Sequence, residues 1–387
     1  MRILHTSDWH LGRSFHGFSL LDDQASVLET LVTTVQEEQV DLVVVAGDLY
    51  DRAVPPADAI SLCDELLGRL RATGARVVAV AGNHDSGPRL GFGEAVMTAG
   101  GVTIRGDVRR VADPVTLDAD DGGAPVACFL VPYLEPELAR HALGAPEART
   151  HDAIWGAAGA AIEARRRALG PHRSILVAHA FLAGGAATDS ERVLSVGGVD
   201  QVEPGALGGF DYVALGHLHR AQTIGRGRMR YSGSPVAYSF SEAADTKQAW
   251  LVDLAPDGSV GVEPVVLPVP RALATVRGTL EELLADPALA AVERAWIRAE
   301  LTDPVPPKDP RERLRARFAH IAHLVLDPPA RTADGTVTTY RERGAGRTDL
   351  ELATAFLAEA AGIDVDASAL DDLSRAFDAA ALQEISR

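Results

Sequence analysis

The chain has 387 residues, of which 37 are lysine or arginine and 54 are aspartate or glutamate, so its formal net charge at pH 7 is −17. This charge excludes a protein that coats nucleic acid or an anionic membrane through its overall charge, because both partners are polyanions. The hydrophobic fraction of 47% is high enough for a sizeable core, and the length predicts two or three domains.

The apolar runs and the cysteines narrow the class of protein further. The apolar runs are far shorter than the roughly 18 residues that would cross a bilayer. We therefore expect a soluble, cytoplasmic protein that makes no membrane contact. Cys63 and Cys128 lack the spacing of a thiolate zinc site or a disulfide framework, so both are expected to be buried thiols.

The first two-thirds of the chain alternates short runs rich in valine, isoleucine and leucine with helical stretches. Hydrophobic patterning predicts strands over residues 2–6, 41–46, 76–81, 126–131, 174–178 and 212–215. Helices are predicted between the early strands, over residues 24–38 and 57–72. This alternation predicts an α/β fold in which helices cover a layered sheet.

The pattern changes after residue 228. Consecutive strands are predicted over residues 229–232, 248–254 and 260–266, with Asp-Gly at 257–258 as a hairpin turn, which implies a mixed sheet or a second sheet. The proline-rich stretch 264–270 predicts a domain boundary. Beyond it, strands over 272–277, 295–301 and 321–326 and helices over 280–284 and 311–320 predict a small α+β unit. We therefore predict domains at 1–268 and 269–343 and a helical region at 344–387.

Five of the predicted strands are followed at once by imidazole, carboxylate or carboxamide side chains. These side chains belong to Asp8, His10, Asp48, Asn83, His84, Asp85, His179, His217 and His219. Open α/β sheets place their sites at the carboxyl ends of strands, so we expect these groups to converge. Taken one at a time, such short motifs are also common in polar loops and turns. Five of them in order, each at a strand end, favour a common site.

The chemistry of this set is that of a metal site without sulfur. Carboxylate, imidazole and amide ligands suit Mn, Fe, Zn or Mg-like ions. A carboxylate that bridges two cations about 3.5–4 Å apart lets them clamp the oxygens of a phosphoester and lowers the pKa of a bound water from 15.7 toward ~7. The sequence therefore predicts a binuclear metal centre for phosphoester hydrolysis.

The motifs also resemble those of a known family. The blocks DWH, GDLYD, GNHD, AHAF and GHLH resemble the ordered motifs of the calcineurin-like binuclear metallophosphoesterases. Within them, DWHLG, GHLH, the YSGSP stretch at 231–235 and the small C-terminal unit resemble the SbcD family, the nuclease subunits of bacterial SbcCD complexes. The resemblance implies a four-layer αββα sandwich at 1–268, a small α+β capping domain and C-terminal helices that bind a partner.

The resemblance also implies a role for each site residue. One ion would be held by Asp8, His10 and His219, the other by Asn83, His179 and His217, and Asp48 would bridge both. His84 would face the scissile phosphate and help to protonate the leaving oxygen, with Asp85 orienting its ring. The two divalent ions would be Mn²⁺, the metal typical of the family. Asp51 stands where archaeal and eukaryotic relatives tend to carry histidine, and its role is left open.

The function implied is that of a DNA nuclease subunit. It would cleave DNA double-strand ends and hairpins, as exonuclease and endonuclease, with the SMC-like ATPase SbcC in DNA repair, recombination and replication. A homodimer within a heterotetramer, associated with the nucleoid when on DNA, is expected. Two alternatives stay open: a phosphatase or cyclic-nucleotide phosphodiesterase acting on a small substrate, and a non-catalytic scaffold subunit of a DNA-bound ATPase.

Several other polar groups have an ordinary interpretation. The remaining histidines are expected to be surface or core residues; they are His5, His16, His141, His151, His172, His320 and His323. For His16, which follows the first predicted ligands, contact with DNA is the alternative. Arginines are clustered at 165–167 with 173, at 226–230 and at 311–317, and they suit DNA phosphates or neighbouring acids equally well. The C-terminal helices suit packing on their own chain or docking on SbcC equally well.

Overall fold

The computed structural model describes residues 1–118, 121–170, 172–191, 201–225, 227–331, 337–339, 348–360, 369–375 and 377. The strands in these ranges are β1 (Arg2–Thr6), β2 (Ser14–Phe15), β3 (Phe18–Ser19), β4 (Leu42–Val45), β5 (Arg76–Val80), β6 (Val102–Arg105), β7 (Val115–Leu117), β8 (Val126–Val131), β9 (Arg173–His179), β10 (Phe181–Leu182), β11 (Gln201–Val202), β12 (Tyr212–Gly216), β13 (Gln222–Ile224), β14 (Met229–Tyr231), β15 (Gln248–Leu254), β16 (Val260–Val266), β17 (Leu273–Gly278), β18 (Trp296–Leu301), β19 (His320–Leu326), β20 (Pro329–Arg331) and β21 (Val337–Thr339). The helices are α1 (Leu21–Glu37), α2 (Ala57–Ala72), α3 (Gly87–Leu90), α4 (Glu94–Ala99), α5 (Pro136–Ala142), α6 (His151–Leu169), α7 (Leu280–Ala285), α8 (Pro310–Arg315) and α9 (Asp349–Ala360). Residues 369–375 and 377 are also helical.

Two six-stranded sheets form the first part of the chain. Sheet 1 has the order β16-β15-β1-β4-β5-β6, and sheet 2 has the order β13-β14-β12-β9-β8-β7. In sheet 1 the strands β1, β4, β5 and β6 are parallel, and β15 and β16 extend the sheet in antiparallel fashion. In sheet 2 the strands β8, β9, β12 and β14 are parallel, with β7 and β13 antiparallel at its edges. The parallel strands of each sheet therefore end along one edge.

Alternate side chains of each sheet pack in two different cores. In sheet 1, Val43 and Val45 of β4 pack with α1 and α2, whereas Leu42 and Val44 pack in a core shared with sheet 2. Sheet 2 repeats this pattern, because alternate residues of β8, β9 and β12 face either that shared core or α6. Strands covered on both faces need nearly continuous apolar sequences, which is why β4 reads LVVV. The fold is the four-layer αββα sandwich expected above.

The strands β14 to β16 show how the predicted mixed or second sheet is built. β14 joins sheet 2 beside β12, whereas β15 returns to sheet 1 beside β1 and β16 pairs with β15 at the edge of that sheet. The Asp-Gly turn at 257–258 joins β15 to β16, and the N–H of Ala255 donates to the carbonyl of Ser259 across it. Both sheets are therefore mixed.

One predicted helix is too long. The helix expected over 311–320 ends at Arg315, and strand β19 begins at His320. The backbone N–H of Ala319 donates to the carbonyl of Glu293, which removes the chain from the helix. Leu314 and Phe318 are both buried. Their spacing is typical of a helix, but here one lies in the helix and the other lies beyond the turn that follows it.

The chain divides into two compact units, of which the first is Met1–Ala274 with Arg294–Trp296 and the second is Thr275–Glu293 with Ile297–Arg387. The second unit contains the sheet β17-β18-β19, together with α7 and α8. Strand β17 begins in the first unit and continues into the second. Helix α7 begins with a capping box in which Thr279 and Glu282 satisfy each other's backbone N–H. The predicted boundary at 343/344 lies outside the described residues, and the three-way division stays a prediction.

Two smaller predictions concern membranes and thiols. Within the described ranges, no helix is both long and apolar enough to span a bilayer. Cys63 and Cys128 are buried free thiols, as expected. Burial raises the pKa of each thiol to about 12, so neither is a reactive thiolate at neutral pH.

Candidate metal centre

The predicted site residues lie where the parallel strands of both sheets end. Asp8, Asp48 and Asn83 follow β1, β4 and β5 of sheet 1. His179 is the last residue of β9 and His217 follows β12, and both of these strands belong to sheet 2. The candidate centre is therefore assembled from two sheets that share one core.

One group of donors lies around Asp8. A carboxylate oxygen of Asp8 and ring nitrogens of His10 and His219 all lie within 4.8 Å of one another. The Nε2 atoms of His10 and His219 are 3.1 Å apart, and both side chains are buried. Two imidazole nitrogens this close, beside a carboxylate, are arranged as ligands of one cation.

A second group lies around Asn83. Its Oδ1 is 2.9 Å from Nε2 of His179 and 3.0 Å from Nδ1 of His217. Oδ2 of Asp48 lies between the two groups, 3.4 Å from Nε2 of His10 and 3.5 Å from Nε2 of His179. The structure thus brings all seven predicted ligands together and places Asp48 in the bridging position.

The electrostatics of this cluster call for cations. Burial raises the pKa of Asp8 to about 8, and burial together with the nearby carboxylates of Asp85 and Asp8 raises the pKa of Asp48 well above its usual range. Burial and then neighbouring imidazoles lower the pKa of His10, and burial and then the cations Arg13 and Lys247 lower the pKa of His219, so these rings are neutral. Buried carboxylates among neutral imidazoles gain their charge only when positive charge is supplied, and the donor set fits two divalent metal ions.

The backbone at the centre is strained. Asp8, His10, Asp48 and His217 have φ angles of 53°, 45°, 50° and 110°, in the left-handed region that side chains other than glycine rarely adopt. Each such residue costs on the order of 1–3 kcal/mol and persists only where its surroundings enforce it. Here they do, because the N–H of His10 donates to the carbonyl of Asp48 at 2.9 Å and that of His217 to Oδ1 of Asp8 at 3.0 Å.

Glycines make room for the convergence. Gly47 and Gly82 directly precede Asp48 and Asn83. A Cβ atom on Gly47 would lie 2.2 Å from Nδ1 of His179, and one on Gly82 would lie 2.1 Å from Oδ1 of Asp48. Both distances are far below van der Waals contact, so these glycines are required by the approach of side chains from neighbouring strands.

The ring of His84 is held in a different way from the one expected. Its Nδ1 lies 2.9 Å from the carbonyl oxygen of Asp51, so Nδ1–H donates to the backbone and Nε2 is the nitrogen that can exchange a proton. Asp85, expected to orient this ring, accepts the N–H groups of Leu49, Tyr50 and Gly82 at 2.9–3.1 Å. Asp85 therefore fixes the loops after β4 and β5, and Asp51 orients His84 through its backbone.

His84 also lies close to the predicted ligands. A ring nitrogen of His84 falls within 4.8 Å of donor atoms of His10 and Asp48, and its ring meets that of His10 edge to face at 4.6 Å. Its backbone N–H donates to Oδ1 of Asp48 at 2.9 Å. It is therefore positioned beside the bridging carboxylate.

Residues that the sequence did not indicate orient the ligands from outside. Nδ1 of His219 lies 2.6 Å from Oγ of Ser190, which donates to Oε1 of Glu242 at 2.6 Å. Lys247 neutralises Glu242 through a bond of 2.5 Å and donates to the carbonyl of His219. Ser190 is 52 residues from Glu242 in the sequence, and these residues form no motif, so no local pattern could have revealed them.

The ordinary interpretations of other groups can now be judged. His5 is buried between Tyr212 and the carbonyl of Leu215, and burial lowers its pKa to about 3, so it is a neutral core residue as expected. Several clustered arginines pair with acids: Arg167 with Glu163, Arg173 with Asp121 and Arg317 with Glu293. Arg226 lies outside the described residues. Of the two interpretations given above, these three arginines therefore follow the one in which they pair with neighbouring acids.

Comparison with known proteins assigns the family. The model of the calcineurin-like phosphoesterases matches residues 1–221, and the chain belongs to that family. A second model, SbcD_C, described as the type 5 capsule protein repressor C-terminal domain, matches residues 269–360, so the chain is similar to SbcD in this part. The family acts on phosphoesters with the help of metal ions, which agrees with the donor set described above.

Several solved structures are similar at low sequence identity. A dimetal phosphatase from Danio rerio is 14% identical, with 66% of this chain and 93% of that chain covered and a TM-score of 0.39. The calcineurin-like phosphoesterase YfkN from Bacillus subtilis is 14% identical, with 69% and 90% covered and a TM-score of 0.38. GAP50 of Plasmodium is 11% identical, with 69% and 84% covered and a TM-score of 0.42.

Proposed function

We propose that this phosphoesterase is a DNA nuclease subunit of the SbcD type, which hydrolyses phosphodiester bonds at double-strand ends and hairpins, as exonuclease and endonuclease. The observation that carries the proposal is the pairing of a complete set of seven metal ligands with a C-terminal segment that matches SbcD_C. The first supports metal-dependent phosphoester hydrolysis. The second separates the chain from phosphatases that consist of the catalytic domain alone.

Each site residue has a role in this reaction. Asp8, His10 and His219 would hold one ion, Asn83, His179 and His217 the other, with Asp48 shared. When bound, the ions polarise the phosphate and lower the pKa of the attacking water. The oxygen of water attacks phosphorus, the bond to the leaving oxygen breaks, and a proton ends on that oxygen. His84 would donate this proton from Nε2, because its Nδ1–H is committed to Asp51.

The metal and the partners belong to the same proposal. We assign Mn²⁺ because it is the metal typical of the family that the motifs resemble; the donor set of carboxylate, imidazole and amide groups without sulfur by itself suits Mn, Fe, Zn or Mg-like ions. SbcC is the proposed ATPase partner, docked through the helical region that includes α9. The large exposed side chains of Phe92 and Val96, which are 85% and 79% exposed, support a homodimer formed through the segment around α4.

The net charge bears on how DNA is held. At −17 the isolated chain repels a polyanion except where the two cations lie, which add about +4 at the reacting phosphate. We therefore expect weak, salt-sensitive DNA binding by the isolated chain and tighter binding with the ATPase present.

The test compares wild type with His84→Ala in Mn²⁺, with and without SbcC and ATP, on linear duplex, hairpin and small phosphoester substrates. We expect wild type to cut hairpins and ends, with duplex digestion dependent on ATP, and His84→Ala to lose cleavage about 10²–10⁴-fold while still binding Mn²⁺. Rapid hydrolysis of small phosphoesters with DNA left intact would instead identify a small-molecule phosphatase or phosphodiesterase. Binding of metal and SbcC without cleavage of any substrate would identify a scaffold subunit.

A further inference from the structure

A pocket of about 600 Å³ opens beside the metal centre. Its wall includes Asn83, which contacts His179 and His217, and Tyr133, whose ring lies 15° from parallel with that of His217 at a centroid distance of 6.3 Å. The pocket and the centre therefore share a wall. The volume of this pocket suits a small organic group.

The lining favours a flat, apolar group. Besides the Tyr133 ring, the pocket is lined by the apolar side chains Pro88, Val108, Pro132, Leu138 and Ala139. Apolar walls with an aromatic ring bind planar ring systems, and a ring in such a pocket gains stacking and burial together. A nucleobase is a planar ring system of this kind.

The charges around the pocket exclude a second phosphate. Apart from Tyr133, its ionisable lining residues are Asp85, Asp107, Arg109 and Glu135, three acids and one base. Nε and Nη2 of Arg109 donate to the carboxylate of Asp107 at 2.9 and 2.7 Å, so this guanidinium is already neutralised. The local balance is negative and repels phosphate, whereas an uncharged base can enter.

We propose that this pocket binds the base of the nucleotide attached to the scissile phosphate, a proposal that rests on phosphodiester hydrolysis at the adjacent centre. A base inside the pocket has left the stack of its duplex. The substrate class is therefore a nucleotide whose base is unpaired, such as one in a frayed end or a hairpin loop, because unstacking costs least there.

The test narrows the pocket at Leu138. Leu138 is 77% exposed, so Leu138→Trp fits the fold, and the matched control Val266→Trp changes a side chain that is 63% exposed on β16 and is not part of the pocket lining. Calorimetry in Mn²⁺ compares thymidine 5′- and 3′-monophosphate with inorganic phosphate. Hydrolysis of the p-nitrophenyl ester of the tighter-binding nucleotide is compared with that of methyl p-nitrophenyl phosphate, which lacks a base.

We expect wild type and Val266→Trp to favour the base-containing probe by about 5- to 150-fold, the range that stacking of one base supplies. Leu138→Trp should reduce this preference to within about twofold of unity. If wild type binds and hydrolyses the base-containing and base-free probes equally well, or if the preference for the base persists in Leu138→Trp, the pocket assignment is overturned.

The two proposals fail in different ways. If wild type prefers the nucleotide in calorimetry but hydrolyses neither ester, base binding in the pocket holds, whereas the proposed function, and with it the placement of that base beside a scissile phosphate, is overturned. If both esters are hydrolysed at equal rates and both ligands bind equally, the hydrolytic function holds and the pocket assignment is overturned.

Discussion

Two of the candidate ligands, His179 and His219, are oriented by hydrogen bonds on the side of the ring away from the metal centre. Nδ1 of His179 lies 2.9 Å from the carbonyl oxygen of Ala46, and Nδ1 of His219 lies 2.6 Å from Oγ of Ser190. Each bond places the ring proton on Nδ1 and directs Nε2 to the centre. Such outer partners fix the tautomer and raise the basicity of a ligand.

Replacing Ser190 tests this role. Ser190→Ala removes the acceptor of the His219 ring proton, so we expect affinity for Mn²⁺ to fall about 10- to 100-fold by calorimetry. The control is Ser239→Ala, because the Ser239 hydroxyl donates to the same Glu242 oxygen, at 2.8 Å. Equal metal affinity in the two variants would show that Ser190 does not orient His219.

Gly82 tests the close approach of the strand ends. In Gly82→Ala the new methyl group would overlap Oδ1 of Asp48, so we expect a loss of about 1–3 kcal/mol in the free energy of unfolding, measured in urea. Gly68→Ala is the matched control, since Gly68 lies in α2 with open space at its Cβ position and the change should stabilise the helix by roughly 0.5–1 kcal/mol. A Gly82→Ala variant as stable as wild type would contradict the packing described.

The sequence predicted a site residue only where a side chain able to bind metal also stands at the end of a predicted strand. Asp48 and Asn83 were predictable because each follows a glycine at a strand end. Ser190 and Lys247 were not, because they reach His219 through the tertiary fold. The orientation of His84 by the backbone of Asp51 was missed because a carbonyl group leaves no signature in the sequence.

Among the elements, single strands were easier to predict than their sheet. The strands over 2–6, 126–131, 248–254 and 260–266 and the helix over 57–72 coincide with the observed bounds. Which sheet each strand joins was not predictable, since the central residues of strands such as β5 (77–80) and β9 (175–178) are apolar in both sheets. Partner choice depends on the shared core, which no single segment encodes.

An ion pair connects the start of β9 to the turn before β8, and it gives the fold a measurable pH dependence. Arg173 donates to both carboxylate oxygens of Asp121 at 2.6 and 3.0 Å, which holds the pKa of Asp121 below its ordinary value near 3.8. A depressed carboxyl pKa stabilises the fold above the ordinary pKa, and that stability is lost as the pH falls through the folded-state pKa.

We therefore expect Asp121→Asn to lower the melting temperature at pH 7. The difference from wild type should shrink as the pH falls below about 4, because the unfolded wild-type chain then takes up a proton at Asp121 that the folded chain does not. Thermal unfolding between pH 7 and pH 3 measures this difference in melting temperature. The control is Asp118→Asn, because Asp118 is exposed. A difference that does not change with pH would show that the contribution of Asp121 is not ionic.

At the scale of the whole molecule, the metal centre joins the two sheets of the first unit. Asp8, Asp48 and Asn83 come from sheet 1, and His179 and His217 come from sheet 2. An ion bound to the folded chain alone stabilises it by about 2.7 kcal/mol when its free concentration is 100 times its dissociation constant. We expect Mn²⁺ to raise the melting temperature and a chelator to lower it.

The His84→Ala variant separates this effect from catalysis. His84 is the proposed proton donor, so we expect its replacement to leave most of the stabilisation by Mn²⁺ in place. Asp48→Asn, which weakens the shared ligand, should lose most of it. If Mn²⁺ leaves the melting temperature of wild type unchanged, the ions do not link the sheets.

The separation of the candidate ligands along the chain also determines when the site can form during synthesis. Asp8 and His219 are 211 residues apart (219 − 8), so a chain still emerging from the ribosome lacks part of the site. At about 5–20 residues per second, roughly 10–40 s pass between synthesis of the first and the last ligand. A hydrolytic centre built this way stays inactive until both sheets exist, and an abandoned or truncated chain never acquires the activity.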